Sequence, residues 1–282
     1  MRIKSVLAGT FKLDGGAMFG VVPKKIWSRL LPVDDQNLCT WALRLLYVEH
    51  DDKKILIDTG MGNKQDAKFF SYYLPSSNGD LKEAIITAGI DPSGITDVIL
   101  THLHFDHVGG AVCYTEQRAP VKSLPDATYW VNASQWQNAV SPNVREKASF
   151  LPENILPLEP YIKFVQSNKS PFSFIDLIKV DGHTEGMILP LIHISKTKKL
   201  LYCADLFPSV HHVPLPYVMA YDMQPLITLR EKEEILRMAV QQQIALFFEH
   251  DAEHEIALVQ SSEKSKYQVK QTMTLDEWLK TE

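Results

Sequence analysis

The sequence has few cysteines, and they lie far apart. Cys39, Cys113 and Cys203 are odd in number and form no C-x-x-C pair, which argues against a disulfide framework and against a thiolate zinc site. No stretch approaches the roughly 18 consecutive apolar residues of a membrane-spanning helix. The N-terminal MRIKSVLAGTFKLDGG turns polar before a signal-peptide core could form. We therefore expect a protein of the reducing cytoplasm with no membrane partner.

A strong excess of one charge is also missing. With 34 acidic and 29 basic residues, the formal net charge is −5, so charge provides no argument for binding nucleic acid. Hydrophobic residues make up 45% of the 282 residues and charged residues 22%, which is enough apolar material for a large core. We expect residues 1–282 to form a single domain.

Segments typical of strands and helices alternate along the chain. The predicted strands cover residues 2–8, 41–49, 55–60, 97–102, 127–133, 172–184, 187–195, 200–207 and 244–250. Helices are predicted over residues 79–89, from a capping box at Thr228-x-x-Glu231, and from near Thr274. In both halves, polar side chains suited to metal binding follow the strand ends. The pattern favours an α/β fold, a four-layer αβ/βα sandwich of two mixed sheets flanked by helices, with a site on one rim.

Residues 14–36 are predicted to form a long loop, because three glycines and a proline interrupt any regular element. The loop is unusually apolar for a solvated segment. We interpret it as a lid over a site or as a contact between subunits.

The most informative segment is residues 101–110, THLHFDHVGG. In its extended start, His102 and His104 point the same way, and the following turn lets Asp106 and His107 approach the same cavity. Imidazole and carboxylate donors suit Zn²⁺, and Mn, Co or Fe less selectively. A polar surface loop is the alternative, which three histidines and an aspartate at this spacing after an apolar strand disfavour.

The H-x-H-x-D-H pattern resembles the signature of the metallo-β-lactamase superfamily. Further ligands follow in the order that this resemblance requires, at His183, Asp205 and His250. Residues 14–27, DGGAMFGVVPKKIW, are also similar to the N-terminal segment of the N-acyl homoserine lactonase and methyl parathion hydrolase branch.

The resemblance implies two divalent metal ions, with zinc expected first. One ion would take His102, His104 and His183, the other would take Asp106, His107 and His250, and Asp205 and a hydroxide would bridge the two. Such a pair lowers the pKa of bound water and polarises a carbonyl or phosphoryl oxygen, so no serine or cysteine nucleophile is required.

Two residues outside the ligand set are also assigned predicted roles. Asp58 follows a predicted strand and is expected to orient a ligand histidine through its other ring nitrogen, with a turn-starting aspartate as the alternative. His212 is expected to contact substrate or to donate to a developing oxyanion, with a solvated loop histidine as the alternative. The candidate catalytic residues are His212 and the predicted metal ligand Asp106.

Three phenylalanines are candidates for the wall of a substrate pocket. Phe19, Phe105 and Phe207 could contact an acyl or aromatic group, although ordinary packing would also explain them. In several homoserine lactonases a tyrosine lies three residues after the bridging aspartate, whereas Pro208 occupies that position here. This departure favours a site in which the metals and a histidine do the chemistry.

The leading hypothesis is the opening of a lactone or ester, with N-acyl homoserine lactones and hence quorum quenching as the first choice. A hydrolase of organophosphates or aryl esters is the alternative from the same branch, and a glyoxalase-type thioesterase comes third. A hydrolase that processes nucleic acid would need a basic groove or an additional binding site, and the sequence indicates neither. A non-catalytic metal-binding module tends to lose ligands, whereas all seven positions are filled here. The expected partner is a small-molecule substrate, and the resemblance is compatible with a homodimer through residues 14–36.

Overall fold

The strands of the computed structural model assemble into two six-stranded sheets and one two-stranded sheet, within residues 1–166 and 169–281, which are the residues that the structure describes. The chain divides into two units. Unit 1 consists of Met1–Phe11, Leu43–Lys169 and Gly186–Ile188, and unit 2 consists of Lys12–Ala42, Ser170–Glu185 and Leu189–Glu282.

The first eight strands are β1 (Arg2–Asp14), β2 (Leu38–His50), β3 (Lys53–Ile57), β4 (Asp97–Ile99), β5 (Val112–Tyr114), β6 (Pro120–Lys122), β7 (Thr128–Asn132) and β8 (Ile162–Val165). Six of them form a sheet in the order β1-β2-β3-β4-β7-β8, and β5 pairs with β6. The neighbours β3 and β4 run parallel, with Ile57 opposite Ile99. The residues that follow these two strands therefore leave the sheet at the same edge, which places Asp58 beside Thr101.

The second six-stranded sheet contains β9 (Ile175–Val180), β10 (Met187–His193), β11 (Lys199–Tyr202), β12 (Ala245–Phe247), β13 (Ile256–Ser262) and β14 (Lys266–Met273). Its order is β14-β13-β12-β11-β10-β9. The strands β11 and β12 are parallel, with Tyr202 opposite Phe247. Asp205 and His250 follow these two strands at the same edge.

The α-helices are α1 (Gly15–Phe19), α2 (Lys24–Trp27), α3 (Ala67–Tyr73), α4 (Leu81–Thr87), α5 (Phe105–Val108), α6 (Ala133–Val140), α7 (Pro152–Ile155), α8 (Pro225–Gln242) and α9 (Leu275–Leu279). In unit 1, Ile85 of α4 and Trp136 of α6 belong to a buried apolar cluster with Leu56 and Val98 of the sheet. Burial of such side chains is the main term that stabilises the unit. Across the part of the chain described, no helix has the length and apolar character needed to cross a membrane.

The prediction of a loop over residues 14–36 is wrong for part of that range. Asp14 caps α1 by accepting a hydrogen bond from the Ala17 N–H at 2.7 Å, and Gly20 ends it with a φ of +57°. Pro23 then precedes α2. Glycine and proline act here as helix boundaries, not as breaks in an irregular segment.

The predicted start of the long helix at a Thr228–Glu231 capping box is also wrong. The helix α8 begins at Pro225, and Thr228 is buried inside it. The Glu231 carboxylate instead accepts hydrogen bonds from the N–H groups of Asp181 and Gly182, at 2.6 and 3.0 Å. The partner of Glu231 is thus the turn that carries His183.

Other local predictions are confirmed. The helix α4 lies within residues 79–89 and is capped by Asp80. The capping box of Thr274 and Glu277 is present at the start of α9. The hairpin predicted over residues 41–60 corresponds to β2 and β3, although β3 ends at Ile57.

Candidate metal centre

The histidine-rich segment of unit 1 lies between β4 and the first turn of α5. His102 Nε2 lies 3.1 Å from His104 Nδ1, and the rings of His102 and His107 are 3.9 Å apart. His107 Nε2 is 3.8 Å from the Asp106 carboxylate. All four side chains are buried. The structure therefore gathers this part of the predicted ligand set.

Two glycines allow the segment after His107 to pack closely on the loop after β3. A Cβ atom on Gly109 would lie 1.9 Å from the Met61 carbonyl oxygen, and one on Gly110 would lie 2.1 Å from that of Thr59. Backbone hydrogen bonds from Thr59 to His107 and from Gly110 to Gly60 join the two segments. Side chains larger than hydrogen at these positions would push α5 away from the loop.

Asp58 fixes two of these histidines. Its carboxylate accepts from the Thr101 N–H at 2.7 Å and the Thr101 hydroxyl at 2.6 Å, and lies 3.1 Å from His107 Nδ1. The hydroxyl oxygen of Thr101 is 3.1 Å from His102 Nδ1. Because the Thr101 proton goes to Asp58, that oxygen accepts from His102. In this arrangement both histidines carry hydrogen on Nδ1 and keep the Nε2 lone pair for a metal.

Glu146 is a neighbour of the ligand set that sequence reasoning missed. Its Oε1 atom lies 3.6 Å from His104 Nε2, and both side chains are buried. No motif marks this glutamate, because it lies in an irregular segment far along the chain from the histidines.

In unit 2, Asp205 lies between two histidines. Its two carboxylate oxygens are 3.2 Å from His183 Nε2 and 3.1 Å from His250 Nε2. Asp205 sits in a turn of 3₁₀ helix, Ala204–Leu206, that follows β11. All three side chains are buried. Asp205 therefore contacts both of the histidines that were predicted as ligands in unit 2.

The other ring nitrogens of these histidines are engaged. His250 Nδ1 lies 2.7 Å from the Ala42 carbonyl oxygen, and His183 Nδ1 lies 2.9 Å from the Asp222 carboxylate. A carbonyl oxygen can only accept, so His250 carries hydrogen on Nδ1, which leaves Nε2 as the nitrogen that a metal would use. Imidazole nitrogens and a carboxylate that converge in this way are the donors that Zn²⁺ prefers. The donor set therefore fits a divalent metal.

The residues predicted as metal ligands are all members of candidate metal-binding groups. Each of the seven belongs to at least one buried group of His, Asp or Glu side chains that could hold a metal ion. Glu249 of unit 2 is a further member of these candidate groups, and it was not foreseen from the sequence.

His212 is buried with only 1% of its surface exposed. Its Nε2 atom donates to the Met18 carbonyl oxygen at 2.9 Å, and its Nδ1 atom lies 2.8 Å from the Ser209 hydroxyl. The ring stacks on Phe19 at 4.8 Å. Burial lowers the pKa of His212 to about 3, so the ring is neutral. These contacts suit a structural link to α1 better than contact with a substrate, and the predicted catalytic role would require both bonds to break.

The three phenylalanines predicted to wall a pocket differ in exposure. Phe19 and Phe207 are fully buried, so neither presents surface to a ligand in this arrangement, whereas Phe105 keeps 7% of its surface exposed. The Phe105 ring contacts two aromatic rings of α3, at 5.2 Å from Phe69 and 4.7 Å from Tyr73. Burial and then the Asp106 charge raise the pKa of Tyr73. Sequence reasoning did not foresee α3 or its aromatic residues.

Lys232 is a buried lysine of unit 2. Its amine donates to the carbonyl oxygens of Pro214 and Tyr217, at 3.0 and 2.7 Å, and lies 5.6 Å from the centre of the Phe207 ring. Burial lowers the pKa of Lys232 to about 7. Lys232 therefore ties α8 to the segment that follows Asp205 and His212.

Comparison with known proteins agrees with this chemistry. The family model described as metallo-beta-lactamase superfamily matches residues 45–242. An N-acyl homoserine lactonase from Bacillus cereus is 24% identical over 240 residues, which is 81% of this chain and 87% of that protein.

Two solved structures resemble the whole chain. A probable metal-dependent hydrolase from Staphylococcus aureus has a TM-score of 0.85 and 26% identity, covering 97% of this chain and 98% of its own. A dizinc quorum-quenching lactonase in complex with a product has a TM-score of 0.79 and 20% identity, covering 97% and 95%. The predicted α/β fold class, with sheets flanked by helices, is confirmed.

Proposed function

The chain belongs to the metallo-beta-lactamase superfamily and is a metal-dependent hydrolase, and we propose that it opens a lactone or ester, with N-acyl homoserine lactones as the first substrate class. The single observation that carries the proposal is the placement of Asp205 between two histidines whose outer nitrogens are already engaged. The similarity to N-acyl homoserine lactonases supports the choice of substrate.

We propose that two divalent ions, zinc first, are held by the predicted ligands. One ion would be bound by His102, His104 and His183, the other by Asp106, His107 and His250, with Asp205 shared between them. When bound, such a pair supplies a water of lowered pKa and polarises the scissile carbonyl.

The chain's own groups prepare the ligands for this role. Asp58 and Asp222 accept hydrogen from Nδ1 of His107 and His183, and the Ala42 carbonyl does the same for His250. Each contact fixes a tautomer and a ring orientation before a metal arrives, which reduces the reorganisation needed on binding.

An apolar part of the substrate has a candidate contact surface in unit 1. Phe69, Tyr73 and Phe105 form a cluster of three rings next to Asp106. Burial of an acyl or alkyl group against such rings would favour binding by about 25 cal/mol per Å² of apolar area. This surface supports a partly apolar ester or lactone over a small charged substrate.

The test is a parallel rate measurement on the zinc-loaded enzyme. The substrates are N-hexanoyl homoserine lactone, a nitrophenyl acetate and a nitrophenyl phosphotriester. We expect the lactone to give the highest kcat/KM, and we expect Asp205→Asn to abolish turnover while the control His193→Gln keeps it. His193 is a partly exposed histidine of β10, paired with Asp176.

Each outcome has a defined meaning for the proposal. Preferential turnover of the phosphotriester would replace the lactone with a phosphate ester as the substrate class. No hydrolysis of any of the three at full metal loading would overturn the proposal.

A further inference from the structure

We infer that Glu146 is a positioning residue for His104. Its carboxylate orients the ring through the Nε2 atom and thereby raises the affinity of His104 for a metal. The inference rests on the proposed function, because it takes His104 to be a metal ligand. Neither the sequence motif nor the family signature includes this glutamate.

The orientation of the His104 ring leads to Glu146. The Nδ1 atom of His104 faces His102 Nε2 at 3.1 Å, which makes Nδ1 the atom that would meet a metal shared by the two rings. A neutral imidazole that binds a metal through Nδ1 carries its hydrogen on Nε2. The Nε2 atom faces the Glu146 carboxylate at 3.6 Å. A small rotation of either side chain would turn this contact into a charge-assisted hydrogen bond.

The Glu146 carboxylate is held in place by two amides. The Asn143 side-chain nitrogen donates to Oε2 at 2.6 Å, and that of Asn138 in α6 lies 3.4 Å from both oxygens. The Glu146 N–H in turn donates to Asn143 Oδ1 at 3.1 Å. Both amides are neutral, so they orient the carboxylate without cancelling its charge.

The segment that carries Glu146 is also fixed to the histidine motif. The Phe105 N–H donates to the Ser149 carbonyl oxygen at 3.0 Å, and the Phe150 ring lies 4.8 Å from that of His104. His104 is therefore enclosed by this segment on its ring face as well as at Nε2. The position of Glu146 relative to His104 follows from these contacts and not from chance proximity.

Charge explains why a carboxylate occupies this buried place. An ionised carboxylate is expensive to bury unless a positive group or strong donors compensate it. An imidazole bound to a cation is such a donor, and a carboxylate on its far nitrogen strengthens it as a ligand. Asp58 on His107 and Asp222 on His183 have the same relation to their histidines. Glu146 completes the same pattern for His104.

The experiment measures metal affinity, not only activity. Zinc affinity is determined by competition with a chromophoric chelator for the wild type, Glu146→Gln, Glu146→Asp and the control Glu153→Gln, which replaces an exposed glutamate of α7. We expect Glu146→Gln to weaken the affinity of one ion by about 10- to 100-fold. The absorption spectrum of the Co²⁺ form should shift in Glu146→Gln, and Glu153→Gln should match the wild type in both measurements.

The conservative variant keeps the test decisive if Glu146→Gln fails to fold. Glu146→Asp retains the charge but draws it back from the ring, so its loss of affinity should be smaller than that of Glu146→Gln and still measurable. Wild-type affinity and an unchanged Co²⁺ spectrum in either folded variant would overturn the inference while leaving the proposed function intact. A wild-type chain that binds no metal would instead refute the proposed function.

Discussion

At the scale of single residues, burial decides what an ionisable group can do. His212 and Lys232 are both fully enclosed, and burial lowers the pKa of each, to about 3 and about 7 respectively. His212 bonds to the Met18 carbonyl oxygen and to the Ser209 hydroxyl, and Lys232 bonds to backbone carbonyl oxygens of the 214–217 segment. Such hydrogen bonds fix the loops to which these groups belong.

His212→Gln separates a structural from a catalytic role for this histidine. A glutamine can donate to the Met18 carbonyl and accept from Ser209, so it can replace both hydrogen bonds but cannot act as an acid. We expect kcat to stay within a few-fold of the wild type. A general acid would instead lose about 10²- to 10⁴-fold. Steady-state kinetics on the zinc-loaded enzyme, with His212→Ala as the disruptive comparison, decides between the two.

The lowered pKa of His212 should make the free energy of unfolding depend on pH, with stability lost in acid. Its folded pKa is about 3, against 6.5 for the free group. Below pH 6.5 the unfolded chain takes up a proton that the folded chain does not. The contribution of His212 is therefore present above pH 6.5 and lost as the pH falls toward 3, by up to about 1.4 kcal/mol per pH unit.

The measurement is the free energy of unfolding by urea for metal-free wild type and His212→Gln. The difference between the two should change in favour of the variant as the pH falls from 7 to 4. Parallel curves over that range would show that His212 takes up its proton in the folded chain.

At the scale of elements, close approach between segments sets the geometry of the ligands. The helix α5 has only four residues, too few to be stable alone. It is held by backbone bonds to the loop after β3 and to Ser149. The motif therefore depends on neighbours that meet it at Gly109 and Gly110.

Gly109→Ala tests this dependence. The new methyl group would lie 1.9 Å from the Met61 carbonyl oxygen, so the backbone must shift. We expect a loss of about 1–3 kcal/mol in stability, together with weaker metal binding because α5 carries two of the ligands. Thermal unfolding and the chelator competition measure both effects.

Gly94→Ala is the matched control. Its new Cβ would meet only the flexible end of Lys54, at 3.1 Å. It should leave metal affinity unchanged. Equal behaviour of the two variants would show that the contact between α5 and the loop after β3 is not needed.

At the scale of the whole molecule, metal binding should couple to folding. The predicted ligands come from both units of the chain, and all seven are buried. Ligands that bind only the folded state raise its stability by mass action.

The homodimer through residues 14–36 and the cytoplasmic location stay predictions.

Removal of metal should lower the melting temperature. An ion present at a thousand times its Kd stabilises the folded chain by about 4 kcal/mol. We expect chelation to reduce Tm in the wild type, and zinc to restore it. Asp205→Asn should show a much smaller shift, and His193→Gln the full one. A wild-type Tm that is insensitive to both chelator and zinc would contradict the expected coupling between metal binding and folding.

The sequence by itself determined the chemistry of the ligands and the elements fixed by neighbours a few residues away. The histidine motif, the later ligands and the capping box at Thr274 are of this kind, because side-chain type and spacing along one segment suffice to predict them. The prediction from sequence failed at Thr228, because Glu231 accepts hydrogen bonds from the distant residues Asp181 and Gly182 instead of capping the helix.

Only the tertiary structure decided which nitrogen of each histidine points toward the other predicted ligands and which group contacts the second nitrogen. Asp222 lies 39 residues from His183, Ala42 lies 208 residues from His250, and Glu146 is also distant in sequence from His104. The burial of His212 and Phe19 was likewise invisible in the sequence. Hydrogen bonds between distant segments depend on how the chain returns on itself, and no short-range pattern records that path.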